Sequence, residues 1–340
     1  MFILKTNQKR RNIFAKKVKS MMRFAMQKPK KLMPGATIGV ISPSSPSETR
    51  SEVPRAVEYL SAMGYNIITG RNLNKTKGFV AASEEDRAAD LNEMFRRKDI
   101  DAVFVTQGGY GAAQLLDLID FEMIKNNPKI FTGFSDITSL HLMFNKFCDL
   151  VTFHGPGMAR FNEEELTEYT KKQFFDALCT DKPLGKINTA DKKKWLYKIS
   201  GGKAEGQITG GNLTLVCASL GTPYEIDCRD KILFLEEVDA EPWIVDHNMC
   251  HLRNSGKLND AIGFVIGECK NCRPYDYKPG YNCDISLEEV LEYYLKDLSK
   301  PVLYGLPLGH TDDIATIPLG VSALLDADSK TLEIKQSGVL

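Results

Sequence analysis

The sequence predicts an α/β protein, with a doubly wound, mostly parallel N-terminal domain and a second α/β, β-rich C-terminal domain. Two observations predict it. Short apolar runs alternate with helical patterns through the first half, and 340 residues, 43% of them hydrophobic, exceed what one compact core usually holds. Such alternation puts helices on both faces of a parallel sheet and ligand loops at the strands' carboxyl ends.

Ala36-Thr-Ile-Gly-Val-Ile-Ser42 is a continuous apolar run of the kind a buried parallel strand needs, and Pro43-Ser-Ser-Pro after it is a turn. Val53, Ala56, Val57, Leu60 and Met63 recur at helical spacing until Gly64. A second unit pairs strand Asn66–Thr69 with a helix through Ala88, Leu91, Met94 and Phe95, announced by the capping box Ser83-Glu-Glu-Asp86. Strand Ala102–Thr106 runs into Gln107-Gly-Gly-Tyr-Gly111 and a helical pattern through Ala112, Leu115, Leu116 and Ile119. A fourth strand reaches Gly133, and Val151–Pro156 reads as a fifth.

Residues 161–203 turn charged and irregular and read as a helical linker between a domain at 32–160 and one at 204–340. The second domain shows strands at Ala204–Thr209, Lys231–Glu236, Ala261–Ile266 and Pro301–Tyr304, helices at Ile244–Leu252 and Leu287–Leu295, and a closing hairpin from Val321 to Ile334.

Charge narrows the function classes. Residues 1–31 carry eleven Lys and Arg and no acid, which leaves the remainder with 33 basic against 44 acidic side chains. An acidic body lacks the basic footprint that a nucleic-acid partner requires. The leader has paired arginines without an apolar stretch, so it is not a secretory signal; it reads as a disordered tail, or as sequence upstream of a start at Met21, Met22 or Met26. No segment approaches the ~20 apolar residues of a membrane span. Eight cysteines without such a signal point to free thiols in a reducing, cytoplasmic setting.

The stretch Lys129-Ile-Phe-Thr-Gly-Phe-Ser135-Asp-Ile-Thr-Ser-Leu-His141 carries the strongest chemical signal. An apolar strand, a sharp turn and a helical pattern would present the Ser135 hydroxyl where free backbone N–H groups face a developing anion. Serine is also a preferred N-cap, and this stretch alone leaves both roles open. A nucleophile needs a base, and His310, in Gly305-Leu-Pro-Leu-Gly-His, is the first candidate; His154, ending a predicted strand, is the second. Glu236 ends an otherwise apolar strand, where a carboxylate is costly without a partner; Glu237 beside it should face the opposite way, one inward and one outward. Gly108-Gly109 after a strand can bring backbone N–H groups close to a substrate, but lacks the spacing of a nucleotide fingerprint, so no cofactor is inferred. Cys269, Cys272 and Cys283, with His247, Cys250 and His251, do not complete a standard zinc pattern, and no metal is inferred. Trp195 and Trp243 are open between substrate groove and packing.

Several of these segments occur together in a recognisable order. Leu32-Met-Pro-Gly-Ala-Thr-Ile-Gly-Val-Ile-Ser-Pro-Ser-Ser, Arg87-Ala-Ala-Asp-Leu-Asn, Gly108-Gly-Tyr-Gly-Ala-Ala, Pro128-Lys-Ile-Phe-Thr-Gly-Phe-Ser-Asp-Ile-Thr and His154-Gly-Pro resemble the LD-carboxypeptidase family, serine peptidases that trim murein tetrapeptides and that include the microcin C immunity hydrolases. Gly211-Asn-Leu, Gly221-Thr-Pro-Tyr, Leu233-Phe-Leu-Glu-Glu-Val and Gly309-His with Pro318-Leu-Gly extend the resemblance across residues 32–325. It implies a triad of Ser135, Glu236 and His310, an oxyanion hole from the backbone of Gly109 and Asp136, and substrate contacts around Gln107, Gly108, Tyr110 and His154. It also implies a small peptide or muropeptide substrate and a homodimer. A peptidyl-nucleotide substrate is the alternative within the family, and a non-catalytic peptide-binding relative the alternative outside it. Gln107 departs from the pattern, because an arginine usually precedes this Gly-Gly-Tyr-Gly; the departure bears on substrate positioning more than on the triad.

Overall fold

The computed structural model describes residues 26–340 except 163, 192, 193 and 278, so residues 1–25 of the basic leader, with Met21 and Met22, lie outside the described residues. Its strands are, in chain order, β1 (Thr37–Ile41), β2 (Asn66–Thr69), β3 (Ala102–Val105), β4 (Ile130–Gly133), β5 (Thr152–His154), β6 (Gly185–Lys186), β7 (Tyr197–Ser200), β8 (Lys203–Asn212), β9 (Lys231–Glu236), β10 (Gly263–Gly267), β11 (Val302–Leu306), β12 (Ile317–Leu319), β13 (Ser322–Asp326) and β14 (Thr331–Ile334). The helices are α1 (Glu52–Ala62), α2 (Glu84–Arg96), α3 (Phe121–Lys125), α4 (Thr138–Phe147), α5 (Glu168–Cys179), α6 (Leu213–Ala218), α7 (Pro242–Asn254), α8 (Lys257–Asp260) and α9 (Leu287–Leu295).

The strands form two sheets. In the first, β2-β1-β3-β4-β5 are neighbours in that order and all parallel. Its central strands read as apolar runs because both faces are covered: every residue of β3 and β4 is buried, whereas β2 at the edge is not. The order reverses between β1 and β3, and the crevice outside their carboxyl ends is where a parallel α/β sheet binds ligands. Ser83 accepts from the Asp86 N–H at the start of α2, as the capping pattern predicts, and Gly64 after α1 has a φ of 91°. The pattern after Gly111 is realised as a 3-10 helix over Ala112–Leu118 rather than an α-helix.

The second sheet has β8-β9-β10-β11 parallel at its centre, with antiparallel β13, β14 and β6 on one side and β7 on the other. Residues 161–203 therefore do more than span: β6 and β7 extend both ends of this sheet, while α5 sends Phe174 against Phe104 of β3, ring centroids 5.4 Å apart. The C-terminal half reciprocates, since β12 adds an antiparallel strand to β5 with Ile317 opposite His154. One apolar cluster runs from Ile38 and Phe104 through Phe153 and Ile317 to Phe234 and Leu303.

Candidate active site

Ser135 stands where β4 ends. A Cβ on Gly133 would lie 2.4 Å from Val105 and 3.0 Å from Ile137, so the strand passes through a slot only glycine fits. The chain then turns through Ser135 at φ 63°, a left-handed conformation that costs an L residue about 1–2 kcal/mol. A 3-10 turn, Ser135–Ile137, leads into α4; the N-cap positions are Phe134 and Ile137, and neither start has a side-chain cap. The serine is thus held on a strained bend and does not act as a helix cap.

Its neighbour Asp136 is buried and fastens the bend to two other loops. Oδ2 accepts from Ser44 Oγ at 2.6 Å, in the turn after β1, and from the Ala112 N–H at 2.7 Å. Burial pushes the Asp136 carboxyl above its ordinary range, while these hydrogen bonds and the nearby Arg87 pull it back. Arg87, buried on α2, donates to the carbonyls of Pro43 (2.6 Å), Gly111 (2.8 Å) and Ala82 (3.1 Å) and to Gln114 Oε1 (2.6 Å). Three loops at the sheet's carboxyl rim thereby share one clamp.

The Gly108-Gly109 turn closes over the serine. A Cβ on Gly108 would sit 2.7 Å from Ser135 Cβ, and one on Gly109, whose φ is 102°, would sit 2.4 Å from Ser45 Oγ. The Gly109 N–H has no backbone partner among the described residues, and the Asp136 N–H belongs to the first turn of a helix, where no intrahelical acceptor exists.

Glu236 and His310 come from the second sheet. His310 follows β11 and its Nδ1 lies 2.7 Å from Glu236 Oε2 at the end of β9. The approach needs two glycines: a Cβ on Gly309 would be 2.8 Å from Glu236 Oε2, and one on Gly267 would be 3.1 Å from Glu236 Cβ. Glu236 is fully buried and Oε1 has no hydrogen-bond partner among the described residues. Burial raises its pKa, opposed by the hydrogen bond and charge of His310. With Glu236 ionised, its oxygen can only accept, so Nδ1 donates in this pair and Nε2 stays outside it.

Ser135 and His310 line one cleft of about 560 Å³ with Gln107, Gly108, Gly109 and Phe134. Phe134 packs on the His310 ring at 4.8 Å. Gln107 Nε2 donates to Pro46 O at 2.5 Å. Two residues anticipated as substrate contacts stand elsewhere. His154 is fully buried between Phe134 and Phe234, and both ring nitrogens lack partners among the described residues, so it can reach neither substrate nor serine as a base. Tyr110 is exposed and leans on Phe79 outside the cleft lining.

Glu237 also differs from expectation: it is buried like Glu236, because it accepts from Asn212 Nδ2 (2.9 Å), the Thr214 N–H (3.0 Å) and Thr214 Oγ1 (2.6 Å) at the start of α6. Trp195 stacks on Tyr197 and Trp243 donates to Glu241, both outside the cleft lining. Among the described residues no three His, Cys, Asp or Glu side chains gather as a metal would need, and the Cys283 thiol donates to Ile285 O at 3.2 Å. Sequence reasoning gave no role to Asp136's side chain, Arg87 or Arg160. Arg87 and Asp136 stand in motifs that carry the family resemblance, but nothing local marks their side chains as a clamp, and Arg160 falls at the edge of the charged linker.

Comparisons with known proteins give the family. Residues 38–155 match the LD-carboxypeptidase N-terminal domain and residues 205–325 the LD-carboxypeptidase C-terminal domain. The chain belongs to the LD-carboxypeptidase family. With that membership it is a peptide hydrolase. A protein of Bacillus subtilis (strain 168) named "Probable murein peptide carboxypeptidase" is 36% identical over 312 residues, 91% of this chain and 94% of the relative. The solved wild-type apo structure of the microcin C7 self-immunity protein MccF is similar with a TM-score of 0.83 at 26% identity, covering 92% of this chain and 100% of that one. A muramoyltetrapeptide carboxypeptidase from Oxalobacter formigenes is similar with a TM-score of 0.73 at 28% identity, covering 88% and 98%.

Proposed function

We propose that this LD-carboxypeptidase hydrolyses the L-to-D peptide bond of a murein tetrapeptide and releases the terminal D-alanine, a step of peptidoglycan recycling. The observation that carries the reading is the convergence of a strained serine, a carboxylate-held histidine and a glycine turn on one cleft. His310 Nε2 takes the Ser135 proton as Oγ attacks the scissile carbonyl carbon. The Gly109 and Asp136 N–H groups receive the tetrahedral oxyanion, and Glu236 holds the imidazolium that forms. Collapse expels the D-alanine amine with the proton from His310 and leaves an ester on Ser135. Water deprotonated by the same histidine then hydrolyses it.

A second reading has specific support: an MccF structure in complex with aspartyl sulfamoyl adenosine is similar to this chain with a TM-score of 0.82, which favours a peptidyl-nucleotide substrate. Against it, Phe134 is the one aromatic residue other than His310 lining the cleft among the described residues, and it already packs on that histidine, so no ring stands free to stack on a base. We place the reaction in the cytoplasm. Eight unpaired cysteines support this, and among the described residues no helix is long and apolar enough to cross a membrane. The homodimer implied by the family resemblance is part of the same reading.

Incubation of the purified chain with disaccharide tetrapeptide, its all-L isomer and a peptidyl-adenylate mimic tests the assignment. D-alanine is released from the first alone, and Ser135→Ala lowers the rate by at least about 10³-fold. Undiminished release by Ser135→Ala, or turnover of the adenylate mimic alone, overturns it.

A further inference from the structure

A carboxypeptidase that removes one residue must recognise a carboxylate one residue away from the bond it cuts. Most of the cleft is unsuited to that. Glu48, Glu52, Glu165 and Asp239 line it, and among the described residues Arg160 is the one lysine or arginine that does. We propose that Arg160 receives the substrate's terminal carboxylate and is the specificity-determining residue for exopeptidase cleavage, supplying from a neighbouring turn the cation that Gln107 does not provide. The inference rests on the peptidase reading above.

Three features place Arg160 for this role. Its 3-10 turn, Met158–Arg160, is pinned to the end of β3 by the Ala159 N–H on Thr106 O at 3.0 Å. At the start of that turn a Cβ on Gly157 would lie 2.6 Å from Thr106 O and 3.1 Å from Gln107 Cα, so the turn rests directly on the backbone of residue 107. Nη1 donates to Thr311 O at 2.9 Å and Nη2 to Asp312 O at 3.4 Å, the two residues that follow His310. The guanidinium is therefore tethered beside the base while a planar fork of five N–H donors keeps capacity for a bidentate carboxylate. A D-alanine whose carboxylate sits there has its amine, one Cα away, beside the histidine that must protonate it. The acidic side chains around the rest of the cleft repel a carboxylate from other positions.

The test compares the tetrapeptide with its C-terminal carboxamide, which keeps the scissile bond and removes the charge. The wild-type chain prefers the acid by about 10- to 100-fold in kcat/KM, the value of one or two charge-assisted hydrogen bonds. In Arg160→Gln that preference collapses: turnover of the acid falls by about that factor more than turnover of the amide, mainly through KM. Arg160→Lys, which keeps the charge and loses the fork, retains part of the preference, and provides the reading should Arg160→Gln fail to fold. The double variant Arg160→Gln/Gln107→Arg, with the cation moved to the adjacent backbone, regains preference for the acid. An unchanged preference in both single variants overturns the proposal. So does an equal loss on acid and amide, which would show that Arg160 only supports the His310 loop. Wild-type chain that cleaves neither substrate overturns the peptidase reading itself.

Discussion

At the scale of single residues, the site is a set of costs accepted for reactivity. Ser135 holds a φ of 63° that glycine would adopt freely, and Glu236 is buried with one oxygen unpartnered among the described residues. The first cost is measurable. Ser135→Gly and Ser135→Ala both lose activity, but the glycine variant is the more stable of the two by about 1 kcal/mol, because it removes left-handed strain that alanine keeps. Urea unfolding of the pair checks this; equal midpoints with equal slopes would mean that the bend stores no strain. The glycines opposite work the other way. Gly108, Gly267 and Gly309 are needed for closeness, since a Cβ at each would meet Ser135 or Glu236 at 2.7–3.1 Å.

At the scale of elements, the Ser135 bend is held by loops and not by its own helix. Asp136 ties it to the turn after β1 and to the 3-10 helix after Gly111, and Arg87 on α2 ties those same two segments together from below. Arg87 is 2% exposed and its guanidinium answers three carbonyls, so its loss strands buried acceptors. Arg87→Met, similar in length and without charge, is expected to destabilise the fold by about 3 kcal/mol. It is also expected to lower kcat while Ser135, Glu236 and His310 remain in place. Thermal unfolding and steady-state kinetics on the same preparation check the two together; a variant as stable and active as wild type would show that the clamp is dispensable.

At the scale of the whole molecule, two fully buried histidines shape the response to acid. His141 donates Nε2–H to Gly133 O at 2.8 Å, and burial depresses its pKa to about 4. His154, fully buried at the join of β5 and β12, is depressed well below its usual value, also by burial. In the unfolded chain both take up protons near pH 6.5. Their contribution to stability is therefore complete above about pH 6.5 and is lost as pH falls, by up to about 1.4 kcal/mol per unit for each; the share of His141 ends once pH passes about 4. Asp136 and Glu236, raised by burial, act in the opposite sense just above the ordinary carboxylate range and offset part of that loss. The expected result is a fall in unfolding free energy between pH 7 and pH 5, with a slope smaller by about one proton in His141→Gln, whose amide can still donate to Gly133 O. A flat profile in wild type would contradict the buried neutral state.

The sequence by itself determined the alternation of β1 to β5 with their helices, the bend at Ser135, the strand that ends at Glu236 and the loop that carries His310. Each is written in neighbouring residues: apolar runs in strands covered on both faces, 3.6-residue spacing in helices, glycine and proline at turns. The resemblance carried by ordered motifs then implied roles for them. Only the tertiary structure decided which side chains meet. Glu236 and His310 lie 74 residues apart, Arg160 and Thr311 lie 151 apart, and no local periodicity records such pairs. The same holds for the burial of both Glu236 and Glu237, of which local alternation allows one, for the burial of His154 at the end of its strand, and for β12, a three-residue strand too short to show a period. Local sequence encodes backbone form and the solvent side of an element, whereas the cleft exists because two sheets, one of them completed by β12 from the far end of the chain, are packed against each other.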